Sequence, residues 1–391
     1  MLCWIKPQAI PISSVGNGSE PGGTTTGRRT ILFAPSDVIV RLKIREASEM
    51  NIRLYDDKDR HLWDQYVIGS DDSTCYHLAV WKEIIEKSFG HRTYYILAED
   101  NQHVINGILP LVRLKSFFFG NFMVSLPYFN YGGICTGKEE IRELLFQKAV
   151  QISREDGATH IELRHTSPLD GLLAKTAKVS MRLGLPHGSE ELWDSLSPKL
   201  RNQIRRPSKE GMYAKIGREE ELQSFYTVFS NNMRDLGTPV YSKGFFRNIM
   251  KEFLDAWICT VYTRTGRPVA SGFLIGFKDI LEIPWASSLK QYNHYSPNML
   301  LYWSALMFAC EKGFSTFDFG RSTPGEGTYR FKKQWGARPV QLYWHYWLKN
   351  GVSLPELNPK NPKYRLAISI WKRLPVSMTK FLGPAIVKNL P

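Results

Sequence analysis

The chain has 391 residues, of which 43% are hydrophobic and 13% aromatic, and it carries a formal net charge of +14. That length and composition can bury two compact cores, and the charge favours a polyanionic partner such as RNA, a phosphorylated metabolite or an anionic lipid surface, simple solubility being the plainer reading. Cys3, Cys75, Cys135, Cys259 and Cys310 lie far apart with no CxxC pair, which argues against a disulfide framework and a zinc site and suits a reducing cytoplasm.

In chain order, the opening "MLCWIKPQAIPISS" has no uninterrupted apolar stretch before a cleavage site, so no signal peptide is expected. Residues 13–30, which begin "SSVGNGSEPGGTTTGRR", are rich in Gly, Ser and Thr and are expected to be disordered. Regular pattern starts at "MNIRLYDD". Met50 is a plausible alternative start, which would make residues 1–49 a dispensable leader. No run of 18 or more apolar residues follows, so no membrane span is expected.

The body then reads as one unit written twice. Glu155, Gly157, Ile161, Glu162 and Leu163 of "EDGATHIELR" match Glu311, Gly313, Phe317, Asp318 and Phe319 of "EKGFSTFDFGR" at a constant offset of 156. Long helical patterns, "EEIRELLFQKAVQIS" and "NMLLYWSALMFAC", precede the two matches. Each glycine is expected to end its helix in a left-handed conformation ahead of a short strand. Upstream, "VINGIL" at 104–109 echoes "VASGFL" at 269–274, each behind a polar turn.

Each half therefore predicts a strand, one or two helices, an antiparallel hairpin, a helix and a strand: a mixed α/β sheet, not a doubly wound one. In the second half these fall near 212–217, 219–236, 243–255, 257–288, 298–312 and 315–319, followed by a short helix near 329–335 and the strand "PVQLYWHYWL". The expected division is a first domain over 50–190, a second over 191–350 and a basic tail over 351–391. At their junction "LSPKLRNQIRRPSKEG" predicts a basic helix over 198–211, with Ser197 as cap, Pro198 in the first turn and Gly211 at its end.

Four segments in this order carry a resemblance: "LPYFNYGG" (126–133), "LSPKLRNQIRR" (196–206), "SPNMLLYW" (296–303) and "FDFGRSTPGEGTYRFKKQWGA" (317–337). Together they resemble the FemAB family over roughly residues 50–385, and more narrowly the FemAB-related proteins that accompany exosortase/PEP-CTERM systems. The resemblance implies two tandem GNAT-like acyltransferase folds. It also implies transfer of an acyl or aminoacyl group, from aminoacyl-tRNA or acyl-CoA as cosubstrate, to an amine of a lipid-linked or nucleotide-linked envelope precursor, related to peptidoglycan or exopolysaccharide. The long coiled-coil arm of some family members is missing here, replaced by the short basic linker.

Acyl transfer to an amine needs a proton acceptor, a stabiliser for the tetrahedral oxyanion and two substrates held in register. Asp318, at the carboxyl end of a short strand, is a candidate to orient or deprotonate the amine, or else simply caps the glycine-rich turn. The resemblance puts a functional lysine in the F-K-K segment, so Lys332 and Lys333 are both candidates. Thr328 is the expected cap of that helix, and Phe331 and Trp335, four apart, are expected to face the core and leave the lysines on other faces. Arg321 and Arg330 flank the turn and suit phosphate or carboxylate. Tyr329, Asn298 and Tyr131 complete the substrate-binding candidates.

The helix beginning "HYSPNMLLYW" lacks the glycine-rich coenzyme A loop of ordinary GNAT enzymes, Ser296 or Asn298 merely capping it, which shifts weight to an acyl-tRNA or another unusual donor. Lys199, Arg201, Arg205 and Arg206 on the linker helix are candidates for a nucleic acid backbone, a solvated face being the plainer reading. The tail is expected either to rest on a membrane surface or to pack on the body, Pro375 and Pro384 breaking any single helix. "HTSPLD" and "PGEGTYR" imitate a glycerol-phosphate acyltransferase pattern at the wrong interval. His160 and His165 fall on opposite faces of a strand, so no metal ligand pair is expected. The expected function is thus a FemAB/GNAT-type transferase without cofactor or metal at the cytoplasmic membrane face. The rival is a non-catalytic binding or assembly factor that retains the duplicated fold.

Overall fold

The computed structural model describes residues 50–117, 119–354 and 362–390; the expected leader, its disordered stretch and Cys3 lie outside them. The first half opens with β1 (Asn51–Leu54), α1 (Arg60–Gly69) and α2 (Val80–Phe89). A meander follows: β2 (Ile96–Glu99), β3 (Ile105–Leu109), β4 (Val112–Ser116) and β5 (Gly120–Val124). Then come α3 (Glu139–Glu155), β6 (His160–His165), β7 (Leu173–Lys175) and β8 (Val179–Gly184). After α4 (Ser189–Ser195) and α5 (Pro198–Lys209) the plan repeats with β9 (Tyr213–Gly217), α6 (Leu222–Leu236) and α7 (Lys243–Glu252). The second meander is β10 (Ala256–Tyr262), β11 (Pro268–Phe277) and β12 (Ile280–Ser288), and α8 (Pro297–Glu311) leads to β13 (Thr316–Ser322). Finally come α9 (Gly327–Lys333), β14 (Arg338–Gln341), β15 (Tyr343–Leu348), α10 (Pro362–Arg373) and α11 (Val376–Val387).

Strand order exposes the duplication. The second sheet runs β14-β8-β13-β12-β11-β10-β9, and the first half gives β1-β2-β3 and β4-β5-β6-β15-β7. Pro110 separates β3 from β4, having no N–H to give a ladder, and so divides what β11 keeps as one long strand. Pairing continues past the break, since Tyr94 N donates to Leu111 O and Arg113 N to Arg92 O.

The sheets do not follow the expected boundary at 190/191. β8, from the first half of the chain, lies between β13 and β14, and β15, from the end of the second, lies between β6 and β7. Each half thus completes the other's sheet with one strand. In each half a helix, α3 or α8, joins a parallel pair, β5 with β6 and β12 with β13.

Local chemistry explains the helix ends. Gly157 (φ +68) and Gly313 (φ +79) follow α3 and α8 in the left-handed region, with Ala158 N bonded to Ser153 O and Phe314 N to Ala309 O, the wrapped turn that glycine allows without steric cost. Ser197 caps α5 through Leu200 N, Pro198 fills its first turn, and Leu200, Ile204 and Pro207 are its buried face. Two expected caps fail. Ser296 sits ahead of α8 at φ +60 with no side-chain cap bond, Asn298 lying inside the helix, and Thr328 lies inside α9, whose cap position is Glu326. Pro375 does separate α10 from α11, but Pro384 is accommodated inside α11. A large core joins the halves, running from Trp81, Phe129 and Tyr131 to Phe245, Phe273 and Trp285.

Candidate functional site

β12 and β13 pair in parallel through Ile280↔Thr316, Leu281↔Phe317 and Glu282↔Asp318, and pair no further. Beyond that point the strands part, and the loop 125–135 of the first half closes over the gap. The crevice there has a volume of about 30 Å3. It is lined by Tyr76, Tyr128, Phe129 and Asn130 from one half and Glu282, Pro284, Trp285 and Arg321 from the other.

Asp318 is 1% exposed and spends both oxygens. Oδ1 accepts from Ser180 Oγ (2.6 Å) and Gly320 N (2.7 Å), and Oδ2 from Tyr131 Oη (2.7 Å) and Arg182 Nε (3.1 Å). Four donors and no vacancy make it a clasp between the exchanged strand β8, the glycine turn and the first-half loop. Glu282 is different. Tyr76 Oη donates to its Oε2 at 2.8 Å, while its buried Oε1 has no hydrogen-bond partner. Burial, then the neighbouring charge of Asp318, pushes its carboxyl up to about 8, the range in which a carboxylate serves as a base near neutral pH.

The first half lacks this feature. At the equivalent register Val124 faces Glu162, and Glu162 is satisfied by Tyr346 Oη (2.5 Å) and Arg164 Nε (2.8 Å). The gap between β5 and β6 is stoppered by its own loop: Gly133 N donates to Arg164 O, Ile134 N to His165 Nε2, and the Arg164 guanidinium to Phe129 O. Burial, then His345, lowers the His165 imidazole to about 3, and burial lowers His345 to about 4. Both are neutral packing groups, and Asp170 of "HTSPLD" is exposed. The duplication is thus asymmetric, with an available buried carboxylate at this register only in the second half.

Of the sequence candidates, Asp318, Tyr131, Arg321 and Lys332 come together here. Arg321 lines the crevice with its guanidinium 4.9 Å over the Trp344 ring. Lys332 departs from expectation. It is 4% exposed, not on an outer face, and its Nζ donates to Gly320 O and Arg321 O, each at 2.9 Å. It therefore braces the glycine turn from below, while Trp335 packs in the second-half core as expected. Lys333 and Arg330 are exposed, Tyr329 packs at the edge of that core, and Asn298 is half-buried in the first turn of α8; none of the four lines the crevice. On α5, Arg201 is half-buried and pairs with Asp194 (3.5 Å), while Lys199, Arg205 and Arg206 are exposed, Arg205 lying over the Trp193 ring (5.0 Å).

Glu282, Tyr76, Ser180 and Arg182 escaped the sequence reading. Glu282 left one signal, an acid inside the otherwise apolar strand "ILEIPWA". The others left none, because chain-distant segments bring them in.

Anion chemistry at the helix starts is poor. Pro297 removes an N–H from the first turn of α8, and Met299 N is spent on Ser296 O. Glu139 and Glu140 occupy the first turn of α3, where they repel phosphate. The start of α8 therefore does not fit a diphosphate held on successive backbone N–H groups. Among the described residues no group of three or more His, Cys, Asp or Glu could hold a metal ion. A roomier groove of about 160 Å3 lies between α6 and residues 289–291, with Arg234, Arg267 and Lys290 on its walls. It contains no buried acid or base, so the smaller crevice is the better candidate.

A family model described as an acetyltransferase (GNAT) domain matches residues 198–333. Among solved structures the chain is similar to that of FemX, with a TM-score of 0.59 and 14% identity over 81% of this chain and 100% of that one. It is also similar to a tandem GNAT protein from the clavulanic acid biosynthesis pathway, with a TM-score of 0.50 and 10% identity over 78% of this chain and 100% of that one. No curated protein matches the sequence. At such identities the likeness speaks for the fold. This chain is a mixed α/β protein built of two tandem GNAT-like folds, the fold of acyltransferases.

Proposed function

We propose that the protein transfers an acyl or aminoacyl group to an amine, with the chemistry in the crevice between the halves. One observation carries this reading: Glu282 is a wall residue of that crevice, and its buried oxygen Oε1 has no hydrogen-bond partner. As base it takes the proton of the incoming ammonium. The freed nitrogen forms a bond to the donor carbonyl carbon, and the tetrahedral intermediate collapses as the bond to the donor's alkoxide or thiolate leaving group breaks, that group taking the second proton the nitrogen sheds. Arg321 offers a cation for a carboxylate or phosphate of either substrate. Asp318 and Lys332 act as positioning residues, holding the turn that carries Arg321. Cys75 lies buried close by, and burial raises its thiol well above the ordinary range, so a thiolate nucleophile is unsupported.

The donor is an aminoacyl-tRNA or an acyl-CoA. The unfavourable start of α8 favours a donor whose phosphates are gripped elsewhere, as in the former. The acceptor is an envelope precursor, of peptidoglycan or of an exopolysaccharide such as those of PEP-CTERM systems, by resemblance to the FemAB proteins. One observation favours the rival reading of a non-catalytic factor: the crevice has room for about one water, so substrates must displace the loop 125–135.

Mass spectrometry of amine-bearing precursors, incubated with the purified chain and either donor, decides between the two. A gain of one acyl or aminoacyl unit that disappears in Glu282→Gln supports the transferase. Transfer that survives in that variant removes Glu282 as the base, and no transfer with any donor and acceptor overturns the transferase reading.

A further inference from the structure

Two helices at the end of the described chain, α10 and α11, both pack on α6. Trp371 is the buried anchor of α10, and Thr379, Gly383 and Val387 are buried on α11; a Cβ on Gly383 would lie 2.8 Å from Val240 N. The opposite faces are apolar where solvent should be. Leu366 and Ile370, one turn apart on α10, are 64% and 52% exposed; on α11 Phe381 is 83% exposed, flanked by Met378 and Leu382. Both helices lie on α6, and these stripes are exposed on them. Arg365, Lys372, Arg373 and Lys388 are exposed around them, and no Asp or Glu occurs between residues 362 and 390.

We infer that this pair of helices docks the protein on an anionic lipid bilayer. Exposed apolar side chains on two helices whose own charged residues are all basic match an acyl boundary beneath negative headgroups. A second copy of the chain is the poorer occupant, since two helices whose only charges are basic repel their own image. No helix among the described residues is long and apolar enough to cross a membrane, so the contact is peripheral. Its position relative to the crevice is fixed. Lys388 O accepts from His91 Nε2 (2.7 Å) and from Tyr128 Oη (2.8 Å), and Tyr128 is a crevice wall. The end of α11 is therefore tied directly to a residue of the crevice wall.

The inference rests on the surface and not on the proposed chemistry, and its test needs no transfer assay. The full chain is sedimented with phosphatidylcholine vesicles, with and without phosphatidylglycerol. Binding is expected to need the anionic lipid and to fall as salt rises. The double variant Ile370→Ser/Phe381→Ser is expected to lower partitioning on the order of tenfold with unchanged thermal stability, since both side chains are already in water. Lys372→Glu/Arg373→Glu is expected to do the same. Equal sedimentation with and without phosphatidylglycerol overturns the inference. So does full binding by both variants, or a dimer in gel filtration that the apolar double variant dissolves.

Discussion

Glu282 and Asp318 are register partners at the last paired position of β12 and β13, yet their carboxylates have opposite fates. Asp318 is saturated by four donors, while Glu282 holds one hydroxyl and keeps an oxygen unpartnered beside the crevice. Two buried carboxylates this close cannot both ionise cheaply. Asp318 has the donors that stabilise a charge, so Glu282 is the one that keeps its proton.

Replacing Glu282 with Gln is expected to lower the transfer rate about 10²–10⁴-fold, the usual contribution of a positioned base. In the parent, the rate should rise with pH and level off above about 8, where Glu282 is ionised. A rate–pH profile of both proteins checks this, and a parent rate independent of pH over that range removes Glu282 from the chemistry.

The same group predicts a stability effect of definite sign. Its carboxyl lies at about 8 in the folded chain against an ordinary 4.5, so between those values the folded state holds a proton that the unfolded state has released. Stability from this group is present at low pH and falls as pH rises through that window. Gln cannot ionise but can still accept from Tyr76, so Glu282→Gln is expected to melt a few degrees above the parent at about pH 9 and alongside it at about pH 4. Thermal melts at both values test it.

Lys332 and Lys333, adjacent in sequence, are expected to part company. Lys332→Ala strips the donor from two carbonyls at the glycine turn and should cost about 2 kcal/mol or more. It should also reduce transfer by releasing Arg321. Lys333→Ala touches only solvent and should stay within about 0.5 kcal/mol of the parent, with full activity. Denaturant titration alongside the transfer assay reads both.

Gly133→Ala tests the loop that forms the crevice wall. A Cβ there would lie 2.3 Å from His165 Nε2, a buried ring held between Ile134 N and His345. The loop must move, at a cost of about 1–3 kcal/mol. A melting temperature equal to the parent's shows that the ring yields instead.

What the sequence determined by itself was local in origin. The repeat at offset 156, the glycines that end α3 and α8, and the serine and proline that open α5 act within one turn of chain. Their conformational preferences survive into any fold that holds them. The elements of the second half could be placed for the same reason. Tertiary structure decided the rest. Nothing in "VSMRLG" or "YWHYWL" says which sheet it joins, because strand pairing is a long-range choice among similar apolar edges, and the exchange of β8 and β15 follows from it. The burial of Lys332 and the saturation of Asp318 depend on Gly320, Ser180, Arg182 and Tyr131 arriving from separate segments. Glu282 became a candidate base only once Tyr76 and Phe129 had closed over it. A carboxyl's proton affinity is set by the water and charge around it, and those neighbours exist only in the folded chain.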